Sequence, residues 1–264
     1  MTPQIIAIGS WQLLFSLIFV LLAGAASLTW HLGLGRSLLV GTLRTFAQLA
    51  LMGYALVFIF RLESATLTLG VFGAMILAAL QIVHGRIKAH QVSLLWPMFG
   101  AMLVSYAVVT VVVTGVIVGA KPWWQPQYFI PIAGMIIGNS MNALAISLER
   151  LFSDLRSQRD LVEMHLCLGA DAREASQTIV RGAIRAGMIP SINAMMGVGI
   201  VFLPGMMTGQ ILSGVDPLTA IRYQIVVMVM LVGSTALSTV AVVLLARRRC
   251  FGSGDRLLLR AGWR

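Results

Sequence analysis

Glu149–Arg185 reads ERLFSDLRSQRDLVEMHLCLGADAREASQTIVRGAIR, and these 37 residues hold twelve charges. They are Glu149, Arg150, Asp154, Arg156, Arg159, Asp160, Glu163, Asp171, Arg173, Glu174, Arg181 and Arg185. On both sides the chain is almost continuously apolar. A membrane protein that keeps one substantial water-facing segment is expected to use it to meet something soluble.

The flanks set the class. The 264-residue chain is 58% hydrophobic and 11% charged, with a mean hydropathy of +0.90. Soluble domains carry roughly 25% charged residues, so a water-soluble globule is excluded, and lipid replaces a buried interior for much of the surface. The net charge of +10 is nearly all arginine, clustered at the ends of apolar runs. That placement fits membrane topology rather than nucleic acid, which is not an expected partner. Cys167 and Cys250 both fall in basic, water-facing stretches and read as unpaired thiols. The start, MTPQIIAIGSWQ, has no positive n-region, so the small-residue run Leu22–Ser27 reads as part of a retained first span.

Seven apolar stretches are long enough to cross roughly 30 Å of hydrocarbon as helices: Ile8–Thr29, Ser37–Phe60, Ala65–Val83, Ser93–Val118, Tyr128–Leu148, Ala186–Leu212 and Tyr223–Ala246. They are too long and too uniformly apolar for barrel strands. The expectation is an all-α integral membrane protein of about seven transmembrane helices, forming one transmembrane domain over residues 1–264. Fifteen Lys and Arg fall after spans one, three, five and seven, including Arg36, Arg86, Lys88 and the tail arginines Arg247 to Arg264. Only Arg61, Lys121 and Arg222 fall on the other side. That bias predicts an N-terminus outside, a cytosolic C-terminus and a cytosolic segment 149–185. The outward loop Lys121–Tyr128, KPWWQPQY, has the Trp, Tyr and Pro of an interfacial belt and turn, and Trp11, Trp30 and Trp96 anchor other span ends. Small residues four apart (Gly115/Gly119, Gly134/Gly138, Ala183/Gly187, Gly205/Gly209) would let helices approach closely, within one chain or between subunits.

Within the polar segment, Leu148, Leu151, Phe152, Leu155, Val162 and Leu166 recur mostly three or four apart. Span five should therefore continue beyond the membrane as an amphipathic helix. Arg150/Asp154, Arg156/Asp160 and Arg159/Glu163 are i,i+4 pairs with the base N-terminal, the weaker orientation. Gly169 suits a helix stop, and Asp171 with Glu174 has capping-box spacing for a second helix. The elbow Leu168–Gly169–Ala170 between them is shaped as a knob for a groove on a soluble partner.

Glu163 followed by Leu168–Gly169–Ala170 has the E-x4-LGA spacing of the cytoplasmic signature of ATP-binding-cassette importer permeases. It lacks the paired Ala after the Glu (here Met164–His165) and the downstream Leu-Pro. GNSMNALAISLERL (Gly138–Leu151), the LGA segment and LPGMMTGQILSGVDPLTAIRYQI (Leu203–Ile225) resemble the FetB permease family across nearly the whole chain. That family comprises bacterial permeases tied to iron export, with plant relatives tied to aluminium tolerance. The resemblance implies a multi-pass permease of the bacterial cytoplasmic membrane, working as a homodimer with a separate cytosolic ATPase that holds the ATP. The coupling residues would be Glu163, Leu168, Gly169, Ala170, Asp171, Arg173 and Glu174. The chain itself binds no cofactor on this reading and is no enzyme. A P-loop needs Gly-Lys-Ser/Thr, whereas Lys88 and Lys121 are followed by Ala and Pro.

Candidate pathway residues lie in spans five and six. Pro190 sits near the start of span six, and Leu203–Pro204–Gly205 interrupts it roughly 21 Å further along; transporters place binding sites at such breaks. Met206, Met207 and Gln210 follow. Thioethers favour Cu(I), iron and aluminium prefer oxygen, and methionine also packs adaptably. Asn139, Ser140, Asn142 and Asn193 either hydrogen-bond helices together or line a pathway, as do Gln48 and Gln81. Arg44, roughly 12 Å into span two, should pair or snorkel, with Glu149 its candidate partner. Glu63 and Asp216 are either outer release sites or solvated loop charges. His31, His84, His90 and His165 show no metal-site spacing. Three alternatives stay open: a channel or scaffold not driven by ATP, a permease for a non-metal substrate, and a membrane hydrolase using Ser140 in the loose G-x-S-x of Gly138–Met141.

Overall fold

The computed structural model describes residues 9–86 and 94–259; Lys88, His90, Arg260 and Arg264 lie outside them, as does the first residue expected of span four, Ser93. The described chain is helical, with two compact units. One comprises Met1–Glu63 with Leu212–Val215, the other Ser64–Ile211 with Asp216–Arg264.

In the first unit, α1 (Ser10–Thr29) and α2 (Gly35–Leu62) pack as a pair. Buried Ser27 pins the turn between them: its hydroxyl accepts from the Leu34 N–H at 3.0 Å and its carbonyl from the Leu32 N–H at 2.9 Å. Glu63 closes α2 in the left-handed region, φ 40°.

The second unit is built on α5 (Pro126–Ser157), which packs against α3 (Ala65–Arg86), α4 (Leu95–Val111), α8 (Gln177–Gly197) and α10 (Pro217–Cys250). Its 32 residues span about 48 Å, well beyond the roughly 30 Å of hydrocarbon. The apolar stripe runs its full length: Ile132, Ile136, Leu144, Leu148, Leu151 and Leu155 are all buried. The extension of span five into the polar segment is thus present. One π-helical turn, Val112–Ile117, continues α4, and Phe129 at the start of α5 takes Phe72 and Trp123 edge-on at 5.4 and 6.0 Å. At least one ring of the expected interfacial loop therefore packs within the chain.

Among the described residues, six helices are long and apolar enough to cross a membrane: α1, α2, α3, α4 with its π turn, α5 and α10. The seventh crossing, expected as Ala186–Leu212, is not one helix. α8 starts back in the polar segment at Gln177, runs through Pro190 and stops at Gly197. Residues 198–204 are irregular, and α9 (Gly205–Leu212) resumes. Gly199 takes φ +84°, which a side chain would resist, and Pro204 cannot donate to a preceding turn.

The two cysteines differ. Cys167 is exposed, but Cys250 is fully buried and does not face water as its basic surroundings suggest. The chain doubles back after α10: Gly252 N–H donates to the Arg256 carbonyl and Leu258 N–H to the Cys250 carbonyl, both at 2.8 Å. Leu257 and Leu259 are thereby buried in the same core as Cys250.

Candidate functional site

The polar segment folds as an elbow. After α5, α6 (Arg159–Cys167) ends in a Schellman motif at Leu168–Gly169–Ala170. Gly169 N–H donates to the Leu166 carbonyl at 3.1 Å and Ala170 N–H to the His165 carbonyl at 3.0 Å, with Gly169 at φ +96°. Asp171 then opens α7 (Ala172–Ala175) through a complete capping box. The Glu174 N–H donates to Asp171 Oδ1 at 2.6 Å and the Asp171 N–H to Glu174 Oε2 at 3.1 Å. Both features follow from Gly169 and the D-x-x-E spacing. Arg150–Asp154 and Arg159–Glu163 form ion pairs at 2.6 and 2.7 Å on the exterior, while Arg156 lies near Cys250.

α6 carries two apolar stripes. Val162 and Leu166 turn into the core. Leu161, Met164 and Leu168, three and four apart, are 46, 49 and 78% exposed. Water-facing helices usually bury their one apolar face; a second stripe on a charged segment needs a cover. The other expected coupling residues lie on the same segment: Arg173 and Glu174 are exposed, Glu163 and Ala170 half-buried, and Asp171 caps α7.

The elbow is tied to the bundle by α5 and α8. Buried Ala183 and Gly187 face α5, and a side chain added at Gly187 would run into Ser147 and sit 2.6 Å from the Ala143 carbonyl. Of the small-residue pairs, Ala183/Gly187 is thus a close approach within one chain. A side chain added at Gly134 would meet Met75 and one at Gly115 would meet Trp123, Gly119 serves a turn at φ +72°, and a side chain at Gly138 or Gly205 would find room.

Further along α5, Asn139 joins three helices: its amide donates to Ser191 Oγ on α8 at 3.0 Å and to Thr235 Oγ1 on α10 at 2.9 Å. The same helices α5 and α10 carry fully buried hydroxyls at Ser140, Ser147, Ser234, Thr235, Ser238 and Thr239, and the Tyr106 hydroxyl lies beside Ser140 and Ser238. The partners Ser191 and Thr235 were legible only as Ser and Thr inside apolar helices. The four hydroxyls of α10 at 234, 235, 238 and 239 do share one helical face, which was the available signal. Asn142 and Asn193 are exposed and do not join the node.

At the break after α8 lies a cleft of about 380 Å³ that includes Met195, Leu203, Met207, Gln224 and Met228 in its lining. Of the expected pathway residues only Met207 reaches it. Pro204 uses its carbonyl to cap α9 through the Thr208 N–H at 3.0 Å, Gly205 starts that helix, Met206 packs on the core and Gln210 is half-buried. Asp216 caps α10 by accepting from the Thr219 N–H at 3.0 Å. Arg44 lies on α2 in the first unit, and exposed Glu149 on α5 in the second. Among the described residues, no three His, Cys, Asp or Glu side chains are grouped to hold a metal ion.

Long apolar helices and a capped polar elbow define a multi-pass helical membrane protein. The chain belongs to UPF0014, described as an uncharacterised protein family, which matches residues 10–251. It is 40% identical over 244 residues to a UPF0014 membrane protein of Synechocystis sp., covering 90% of this chain and 92% of that one. It is 33% identical over 252 residues to the "Probable iron export permease protein FetB" of Escherichia coli, covering 94% of both. With "Protein ALUMINUM SENSITIVE 3" of Arabidopsis thaliana it shares 35% identity over 231 residues, 85% of this chain and 81% of that one. The FetB-type resemblance is borne out. No solved structure matches the chain.

Proposed function

We propose that this protein is the membrane-spanning permease subunit of an ATP-binding-cassette transporter that exports a metal ion, with ATP held and hydrolysed by a separate cytosolic subunit. The observation that carries the reading is the exposed stripe Leu161–Met164–Leu168 at a capped elbow in the charged segment between apolar helices. A helix in that setting suits a groove on a soluble protein. The name of the Escherichia coli relative supports metal export, and the Lys/Arg bias supports a cytosolic elbow, an outer N-terminus and a cytosolic C-terminus; the bacterial relatives suit a place in the inner membrane.

Two copies pair, each meeting one ATPase. Closure of the ATPases on ATP pushes the elbow. α5 and α8 carry the push inward because their contact at Gly187 has no slack, and the Asn139 node binds the same two helices to α10 further in. The test is association with an ATPase and ATP-dependent metal flux. Leu168→Glu removes the exposed knob without touching the core, and Gly169→Pro cannot take φ +96°. Both should abolish association. Metal flux that proceeds without ATP, or an unaltered complex in both variants, would defeat the reading.

A further inference from the structure

The cleft at the break of the α8–α9 crossing carries a donor set of one kind. Met195 comes from the last turn of α8, Met207 from α9 and Met228 from α10, so each of three helices contributes one methionine to the lining of one cavity. Gln224 lies one turn before Met228 on the same face of α10. Its residue is 5% exposed, it lines the cavity, and its Oε1 has no hydrogen-bond partner. A buried carbonyl oxygen without a donor costs free energy, and a turn of this side chain, which already lines the cavity, brings the oxygen to what enters there. Only a donor or a cation can satisfy an acceptor.

The backbone adds the same sign. Met195, Val198 and Gly199 place the C-terminal end of α8 at the cleft, and a helix C-terminus carries the negative end of its dipole. Broken helices use such ends to hold cations. The side chains then select among cations. Thioethers are soft donors that suit Cu(I) and leave hard, oxygen-preferring ions poorly served. With three flexible bonds each, methionines can close on an ion much smaller than the open cavity.

The geometry points to this cleft as a binding site for a soft monovalent metal cation of the Cu(I)/Ag(I) class, held by the thioethers of Met195, Met207 and Met228 and by Gln224 Oε1. As the identity of a cargo it rests on the permease reading above; as a site it stands on the cleft alone.

Ag(I) is the probe, being redox-stable. The full-length protein carrying Cys167→Ser, which removes the exposed thiol that would itself take the ion, is purified in detergent without any ATPase and titrated with Ag(I); bound metal is measured by mass spectrometry after desalting, with calorimetry for affinity, and every further substitution is made in this parent. The expected result is one tightly held Ag(I) per chain, with Fe(II) failing to displace it under anaerobic conditions. Leucine replacements nearly conserve methionine's volume and keep the fold. Combined Met195→Leu, Met207→Leu and Met228→Leu should remove the tight site. Gln224→Leu should weaken it by about tenfold or more, the scale seen when supporting groups of a metal site are lost. Met196→Leu, next in sequence but outside the cleft, should change nothing.

The site is overturned if the Cys167→Ser parent holds no Ag(I), or if its triple methionine variant, eluting as a folded protein, binds the ion as the parent does. It is equally overturned if Fe(II) displaces the ion. Because no ATPase and no flux enter this measurement, a missing ATPase partner would defeat the permease reading and leave the site standing.

Discussion

Gly187→Ala should destabilise the protein although alanine is the better helix former. At this position the added methyl group would run into Ser147 and lie 2.6 Å from the Ala143 carbonyl oxygen, where ordinary contacts begin near 3.4 Å. The Ser147 side chain can adjust, but the carbonyl belongs to the backbone of α5. The two helices must therefore part by about 0.8 Å at this level. Overpacking of this kind costs about 1–3 kcal/mol, which exceeds the gain of roughly 1 kcal/mol that alanine offers over glycine in a helix interior. Gly182→Ala, five residues earlier on α8 with nothing within 4 Å, should show that gain alone. The assay is reversible unfolding in mixed micelles followed by circular dichroism. Gly187→Ala should unfold earlier than the wild type and Gly182→Ala at or after it. Adding Ser147→Ala to Gly187→Ala should restore only part of the loss, because the carbonyl contact remains. A Gly187→Ala protein as stable as the wild type would refute the close approach, and with it the stiffness assigned to the α5–α8 lever.

Asn139→Ala removes two hydrogen bonds that join three helices; at about 0.6 kcal/mol each in a membrane bundle, it should cost roughly 1 kcal/mol in the same assay. A membrane-impermeant maleimide should label Cys167 from the cytosolic side of inverted vesicles and leave Cys250 unmodified until the protein is denatured, since one thiol is exposed and the other buried. Labelling of Cys167 from the outer side would reverse the topology. Asp171→Ala should cost about 1 kcal/mol of local stability through the lost cap, read as faster amide exchange at Glu174.

Much of the elbow was legible because its determinants are local. Gly169 after an amphipathic run, then Asp171 and Glu174 three apart, specify a stop and a start within a few residues. No distant group has to be known. The apolar stripe from Leu148 to Leu166 likewise foretold that α5 and α6 keep a buried face through the polar segment. The break in the sixth crossing was readable at Leu203–Pro204–Gly205, but its full width was not. Gly199 and the contacts of residues 198–204 are set by neighbours, so one expected crossing became two helices.

The sequence by itself determined that this is a helical membrane protein with one capped, charged elbow, because hydrophobic length, charge and cap spacing act over one or two turns. Only the tertiary structure decided which polar residues meet. Asn139 found Ser191 and Thr235, 52 and 96 residues away, while Asn142 and Asn193 stayed outside. Met207 joined Met195, Met228 and Gln224 in a cleft no spacing announced. Cys250 disappeared under a returning tail. Side chains brought together from separate helices leave no periodic trace in the chain, since the rotation and approach of each helix are fixed by packing against all the others.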